Sequence, residues 1–293
     1  MSSCTPFIKW VGGKRRVIPE LEKRLPKKFN RYFEPFIGGG AFLFHLNHKD
    51  SFISDLNSEL INLYIVVKDS VNELMADLEL HENSSEYFYN IRNLDRDSEN
   101  YNRLSAVEKA SRFIYLNKSC FNGLYRVNRK GEFNVPFGKY KNPIYFEKKN
   151  LLKCNKFLQN IEIQHGEFTT YRDKIQKDDF VYFDPPYFPI TDTSNFTSYT
   201  KDGFGINEQR KLLDFLQEVD NRGAFFMLSN SYSDFTMDFY KEFNIDIIDV
   251  GRSINSRADK RGKVKEIIVR NFSWILNYWV FDRILAVITI WRF

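Results

Sequence analysis

The chain has 293 residues, of which 43% are hydrophobic and 28% charged, a composition that excludes a disordered protein and fits a folded globular one. Its three cysteines (Cys4, Cys120, Cys154) and four histidines show no paired-ligand spacing, which argues against a disulfide framework and a zinc site and points to a reducing compartment. The net charge of +5 is gathered in three windows, +7 over residues 1–31 and +5 each over 118–141 and 251–270, as in a protein presenting basic faces to a polyanion.

In chain order, Met1 to Lys14 contains no apolar run of the kind that opens a signal peptide, so a cytoplasmic protein is expected. Tyr32–Phe36 reads as a strand that enters a glycine turn and a helix through Ala41–Asn47. Ser51–Ser54 reads as the next strand. From Asp55 to about Asn155 the strand rhythm stops, and Ser58–Leu80 and Leu104–Lys118 instead repeat apolar residues at helical spacing, such as Leu60, Leu63, Tyr64 and Val67. A Gly/Asn-rich segment follows at 121–143. Strands resume at Ile161–Gln164, Phe180–Phe183, Ala224–Leu228, Ile245–Val250 and Glu266–Arg270. The alternation predicts an α/β fold with a mostly parallel sheet, its last two strands pairing antiparallel at one edge. Residues 274–293 are rich in Trp, Ile, Leu and Val, but Asp282 and Arg283 leave runs too short to span a bilayer of about 30 Å. They read as an aromatic tail, and no membrane association is expected. The expected division is a discontinuous domain of residues 1–57 and 155–272, an inserted, mostly helical lobe of 58–154, and the tail, 273–293.

Two local patterns suggest chemistry. Gly38-Gly39-Gly40 lies at a strand-to-helix turn, where missing Cβ atoms let backbone approach a ligand. Asp55, seventeen residues after Gly38, closes the next strand, where a carboxylate can accept from both hydroxyls of a ribose. The triplet is neither a G-x-G-x-x-G fingerprint nor a P-loop, so a nucleoside without a bound pyrophosphate fits better. S-adenosylmethionine is such a ligand, and no metal is required. Downstream, Phe180–Phe183 runs into Asp184-Pro185-Pro186-Tyr187 at the strand end where open α/β sheets place ligands. The prolines fix the turn and remove two donors, leaving carbonyl acceptors, Pro185's above all. The Asp184 carboxylate and the Pro185 carbonyl together can bind both protons of an exocyclic amine and draw its nitrogen towards sp3 character. Tyr187 can stack on the base that carries the amine once that base has left the duplex. This turn alone also allows cytosine N4 or a glutamine amide.

Several blocks over residues 5–272 resemble the Dam-type adenine-N6 DNA methyltransferases (D12 class, alpha group), several of which modify GATC beside a restriction enzyme. Phe7-Ile8-Lys9-Trp10-Val11-Gly12-Gly13-Lys14 is similar to the family's N-terminal cofactor block. The resemblance implies that Trp10 packs against the cofactor, Lys14 lies in its pocket and Lys9 touches a target base. It also assigns Phe36, Gly38 and Gly40 to the cofactor loop, Asp55 to the ribose and Glu167-Phe168 to the adenine ring of the cofactor. Asp184 to Tyr187 become the catalytic motif. Phe121 to Asn128 and Gly131 to Tyr140 resemble the recognition hairpin. Arg126 is the candidate for a guanine edge, Asn122 or Phe121 for the gap left by the flipped adenine, and Leu124 and Pro136 for a thymine methyl. Asn128, Lys139 and Tyr140 complete the DNA-binding set, while Lys118, Arg129, Lys130 and Lys141 suit phosphates. The implied fold is a Rossmann-like seven-stranded methyltransferase sheet with an inserted DNA-recognition domain. The implied partners are duplex DNA and, functionally but not as a stable complex, a cognate restriction endonuclease. Two positions depart from the family: Glu167 stands where Asp is common, and Lys139 where Arg is frequent, and a lysine cannot reproduce a planar fork.

Three other readings have sequence signatures. A DNA-binding relative without catalysis would show damage in the catalytic motif or the cofactor loop, and both are intact. Transfer to a protein glutamine or an RNA base is more often associated with Asn-Pro-Pro-Tyr. Methylation at cytosine C5 needs a Pro-Cys nucleophile, whereas Cys120 follows Ser119 and Cys154 follows Lys153.

Overall fold

The computed structural model describes residues 4–188, 204–251 and 263–273. The expected tail and most of the loop in the third basic window lie outside these residues. The strands are β1 (Tyr32–Glu34), β2 (Ser51–Asp55), β3 (Ile161–His165), β4 (Phe180–Phe183), β5 (Phe225–Ser231), β6 (Asn244–Gly251) and β7 (Lys263–Arg270). They form one seven-stranded sheet in the order β3-β2-β1-β4-β5-β7-β6. β3, β2, β1, β4 and β5 are mutually parallel, while β7 runs antiparallel to both β5 and β6. The expected antiparallel pair at one edge is therefore present, with β6 outermost. β4 is buried at all four positions, as its unbroken apolar run requires of a central parallel strand.

The helices among the described residues are α1 (Ile18–Glu22), α2 (Ala41–Leu46), α3 (Ser58–Asp69), α4 (Val71–Leu78), α5 (Ser85–Asn93), α6 (Ser98–Arg103), α7 (Ala106–Ser119), α8 (Lys148–Leu158), α9 (Ile206–Asn221) and α10 (Asp234–Phe239). The single helical pattern read over 58–80 divides into α3 and α4, because Ser70 leaves helical geometry at φ −137° and ψ 40°. α7 starts sharply: the Ser105 hydroxyl accepts from the Glu108 amide and the Glu108 carboxylate accepts from the Ser105 amide. Among the described residues no helix is long and apolar enough to cross a membrane.

Strand alternation sends side chains to opposite faces and so builds two cores. Tyr32, Ile53 and Tyr182 meet Leu60, Leu63 and Tyr64 of α3, Leu74 of α4 and Ile114 of α7 on one face. Phe33, Val181 and Phe183 meet Leu212, Phe215 and Leu216 of α9 on the other. A third cluster, Phe88, Tyr115, Leu116, Cys120, Phe133 and Val135, lies away from the sheet between α5, α7 and the segment after α7. Tyr125 and Tyr145 pack against both the first and the third cluster.

That segment folds back on itself as the hairpin expected from the sequence. The Asn134 amide donates to the Arg126 carbonyl at 3.0 Å and the Asn128 amide to the Glu132 carbonyl at 2.8 Å. Gly131, at φ +85°, turns the chain between them.

Candidate active site

Strand order reverses between β1 and β4: the chain goes one way from β1 to β2 and β3, and the other way from β4 to β5. The carboxyl ends of strands flanking such a reversal border a crevice without a crossover above it. Four segments leave the sheet there: the glycine loop after β1, Asp55 ending β2, Gly166-Glu167-Phe168 after β3, and Asp184 to Tyr187 after β4. They line one cavity of about 1360 Å³ together with residues 5–17 and, opposite, Lys118, Asn122, Gly123 and Leu124.

Asp55 is held rigidly. Its Oδ2 accepts from the Gly38 amide at 3.1 Å and its Oδ1 from the Asn57 amide at 2.9 Å. Burial raises its pKa, and those two amides pull it back. Asn57 in turn caps α3, its side-chain oxygen accepting from the Leu60 amide at 3.0 Å. Phe36 stacks on Phe168 at 5.7 Å, and Phe204 meets both edge-on.

The three glycines each stand close against a side chain. A Cβ on Gly38 would stand 2.7 Å from Trp10 Cδ1, one on Gly39 2.9 Å from Trp10 Cβ, and one on Gly40 2.6 Å from the Tyr64 hydroxyl. The space left by the missing Cβ atoms is thus taken by Trp10 at Gly38 and Gly39 and by Tyr64 at Gly40, while the same glycines still line the cavity. Gly38 and Gly40 also sit at φ +47° and +67°, where other residues are strained.

At the catalytic turn, Lys14 Nζ lies 2.8 Å from Asp184 Oδ1 and 4.3 Å from the centre of the Tyr187 ring. It also donates to the Gly12 carbonyl at 3.2 Å. Lys14 therefore reaches the Asp-Pro-Pro-Tyr turn directly and covers one face of the ring. Asp184 has its pKa pushed up to about 6, chiefly by burial, with the Lys14 ammonium working against that rise and Glu266 adding to it. The Tyr187 hydroxyl donates to Glu266 Oε2 at 2.7 Å. The expectation that both proline carbonyls are unclaimed is corrected at Pro186, whose carbonyl accepts from Gln209 Nε2 at 3.3 Å. Glu34 sits beneath the turn, wholly buried, accepting from the Tyr32 hydroxyl at 2.8 Å. Burial is the chief cause that lifts its pKa well above the usual carboxylate range, with Asp184 adding to the rise and the Tyr32 hydroxyl opposing it.

The expected site residues divide into two groups. Trp10, Lys14, Phe36, Gly38, Gly40, Asp55, Glu167, Phe168 and the turn Asp184, Pro185, Pro186, Tyr187 line the cavity, and so do Lys9, Asn122 and Leu124. Phe121, Arg126, Asn128, Pro136, Lys139 and Tyr140 stand outside it on the hairpin, with Phe121, Arg126, Pro136, Lys139 and Tyr140 exposed. Lys9 joins the two groups: its ammonium lies 5.6 Å from the Tyr140 ring and its methylenes pack where a Gly123 Cβ would be. Asn128 spends its side chain on the turn, accepting from the Lys130 and Glu132 amides and donating to Glu132 Oε2. Glu34, Phe204, Gln209 and Glu266 were not singled out from sequence. Only Glu34, adjoining the glycine turn, had a local signal.

Residues 10–254 match the family of D12 class N6 adenine-specific DNA methyltransferases. Over 271 residues the chain is 46% identical to the Type II methyltransferase M1.LlaDCHI of Lactococcus lactis subsp. cremoris, covering 91% of this chain and 95% of that one. It is 43% identical over 287 residues to the Type II methyltransferase M.MjaIII of Methanocaldococcus jannaschii, covering 91% and 99%. The DNA adenine methylase of Escherichia coli K12 is 33% identical over 273 residues, covering 92% and 95%. The chain belongs to the D12 class of N6 adenine-specific DNA methyltransferases.

Proposed function

We propose that this adenine-specific DNA methyltransferase acts on an adenine swung out of duplex DNA, within GATC, and that its hairpin reads that sequence. The observation that carries the reading is the shared cavity, in which the Asp184 turn, the Asp55 pocket and the start of the hairpin at Asn122 and Leu124 face one space. Its volume of about 1360 Å³ exceeds the ~300–1,000 Å³ usual for a single small ligand, which leaves room for a cofactor and a base together.

The residues present fit S-adenosylmethionine. A carboxylate pinned by two backbone amides suits a ribose, and the Phe36, Phe168 and Phe204 rings suit an adenine, with Glu167 at its edge. Held there, S-adenosylmethionine supplies an electrophilic methyl group on a sulfonium centre. Asp184, as a carboxylate, and the Pro185 carbonyl accept the two N6 protons of adenine and localise the nitrogen lone pair. Tyr187 offers the base a ring whose hydroxyl is anchored on Glu266. Lys14 must yield part of its hold on Asp184 and on the ring as the base enters.

On the hairpin, Arg126 reads a guanine edge, Asn122 or Phe121 fills the space left by the adenine, and Leu124 and Pro136 meet a thymine methyl. Lys9 reaches a base from the cofactor side, and Asn128 keeps the turn in shape. Lys139 and Tyr140 support the strand end. The working division is a catalytic unit of residues 1–57 and 155–272 with a recognition unit of 58–154, α3 and α8 forming the wall between them. Relatives named Type II methyltransferases support a functional pairing with a restriction endonuclease.

Replacing Asp184 with Ala tests the chemistry. Tritium transfer from labelled cofactor to DNA should fall by about 10²–10³-fold or more, as when one preorganised polar group is removed from a reacting centre. Sequence-specific DNA binding should persist, and retained transfer would refute the acceptor role. Mapping methylated adenines in a methylation-free host expressing the chain tests GATC, and a different motif would replace it.

A further inference from the structure

The cofactor loop and the DNA-reading hairpin share one indole. Trp10 lies against Gly38 and Gly39 on one side, filling the space their missing Cβ atoms leave. On another it stacks on Tyr125, ring centres 5.4 Å apart and planes 22° apart. Tyr125 belongs to the hairpin, directly before Arg126, and stacks again on Phe113 of α7 at 4.6 Å and 19°. Its edge meets Phe133 on the returning strand of the hairpin at 5.7 Å. The Asn57 side chain stands against its hydroxyl, and the Asn57 amide is one of the two that hold Asp55. One phenol ring thus touches the glycine loop through Trp10, the ribose carboxylate through Asn57, and both strands of the hairpin.

The backbone next to Trp10 is tied to the same place. The Asn117 side chain accepts from the Lys9 amide at 2.9 Å, and donates to the Lys9 carbonyl at 2.8 Å and the Gly123 carbonyl at 3.2 Å. Any shift of Trp10 required by a ligand at the glycine loop is therefore passed to the start of the hairpin through packed rings and a clamped backbone. Ring pairs packed in this way are held together by more than burial alone, which is enough to bias the setting of a short hairpin.

We propose that Tyr125 is a positioning residue that couples occupancy of the cofactor pocket to DNA reading, by holding Trp10 and the hairpin as one packed unit. Linkage makes the coupling reciprocal: a ligand that sets Trp10 favours the DNA-competent hairpin, and DNA on the hairpin favours that ligand by the same factor. The proposal rests on the assignment of the two pockets above. Nothing about Tyr125 itself touches the reacting atoms.

The test uses the full chain and S-adenosylhomocysteine, which cannot transfer a methyl group. Its Kd is measured by calorimetry alone and in the presence of a saturating GATC-containing duplex. The ratio of the two constants is the coupling. The wild-type ratio should be at least about fivefold, the low end of ordinary two-site coupling. Tyr125→Leu and Tyr125→Met should bring it to within about twofold of unity, and Tyr125→Phe, which keeps the ring, should restore it. A residue that merely fills the core would weaken both constants together and leave the ratio unchanged, which overturns the proposal. A wild-type ratio of one overturns it equally. Either aliphatic variant suffices if the other fails to fold. Binding of S-adenosylhomocysteine to the wild type without DNA reads the cofactor assignment separately, so a failure of that assignment shows as absent binding and not as an altered ratio.

Discussion

The Asp184–Tyr187 turn, proposed to be catalytic, and the hairpin after α7, proposed to read DNA, are both short, proline-containing loops, but their polar groups are satisfied in opposite ways. In the turn the partners come from four distant places: Lys14 on Asp184, Gln209 of α9 on the Pro186 carbonyl, Glu266 of β7 on the Tyr187 hydroxyl, and Asn230 and Ser231 of β5 on the Phe188 amide and carbonyl. In the hairpin the hydrogen bonds are mostly local, and Phe121, Arg126, Pro136, Lys139 and Tyr140 remain exposed. Chemistry on a weak nucleophile demands acceptors fixed before the substrate arrives, because reorganising them at the moment of reaction would cost most of their benefit. Reading a base edge demands the reverse, donors left free until DNA supplies the acceptors.

The largest effect that would break this contrast comes from Lys14→Met. Asp184 then loses the Lys14 ammonium that opposes its rise, while burial and Glu266 still act, so its pKa climbs above about 6. The carboxylate is the working form, so wild-type methyl transfer should increase as pH rises through about 6 and level off above it. In the variant that midpoint moves alkaline. Transfer at pH 7 should drop by about 10–100-fold and recover towards pH 9, as follows when the midpoint rises by about two to three pH units, the upper part of what one adjacent opposite charge is worth. A loss that is the same at every pH would mean that Lys14 serves the cofactor and not the acceptor. A smaller effect is expected at the glycine loop. Gly38→Ala would put a methyl 2.7 Å from Trp10 at a φ of +47°, costing about 1–3 kcal/mol in strain and displacing the indole. Thermal denaturation and S-adenosylhomocysteine binding should both report it, and a variant as stable and as tight as wild type would show the loop to be soft.

What the sequence made legible was local. Short runs at Phe180–Phe183 and Ser51–Ser54 placed the strands, apolar spacing over Leu104–Lys118 placed α7, and the proline pair marked a rigid turn. The partners that finish the site were not legible, because Glu266 lies 79 positions from Tyr187 and meets it only once β7 is inserted beside β5. The same holds for Lys14 and Asp184, joined by an ion pair across most of the catalytic unit. Glycine carries no record of what fills its missing Cβ, so the contacts of Trp10 and Tyr64 at the triplet were not legible. The hairpin was legible from its resemblance, while the bonds that Asn128 makes across the turn needed coordinates.

The smallest effects belong to the hairpin, and they sharpen the contrast by asking how free its donors are. Arg126→Ala should cost about 1–3 kcal/mol of discrimination between a GATC duplex and a scrambled one, the usual worth of one bidentate base contact. Lys130→Ala should weaken both duplexes alike and lower the salt slope of binding by about one, as for a phosphate contact. Equal losses on both duplexes for both variants would remove the distinction. Arg126 is not wholly free, since its Nε donates to Asn134 Oδ1 at 2.8 Å, which fixes the guanidinium plane; in the proposed reading its two terminal nitrogens are the ones that meet a base. Asn134→Ala should therefore reduce discrimination by less than Arg126→Ala does, through a looser fork and not a missing one. A loss as large as that of Arg126→Ala would mean that Asn134 reads DNA itself, and the hairpin would then be as thoroughly pre-set as the catalytic turn.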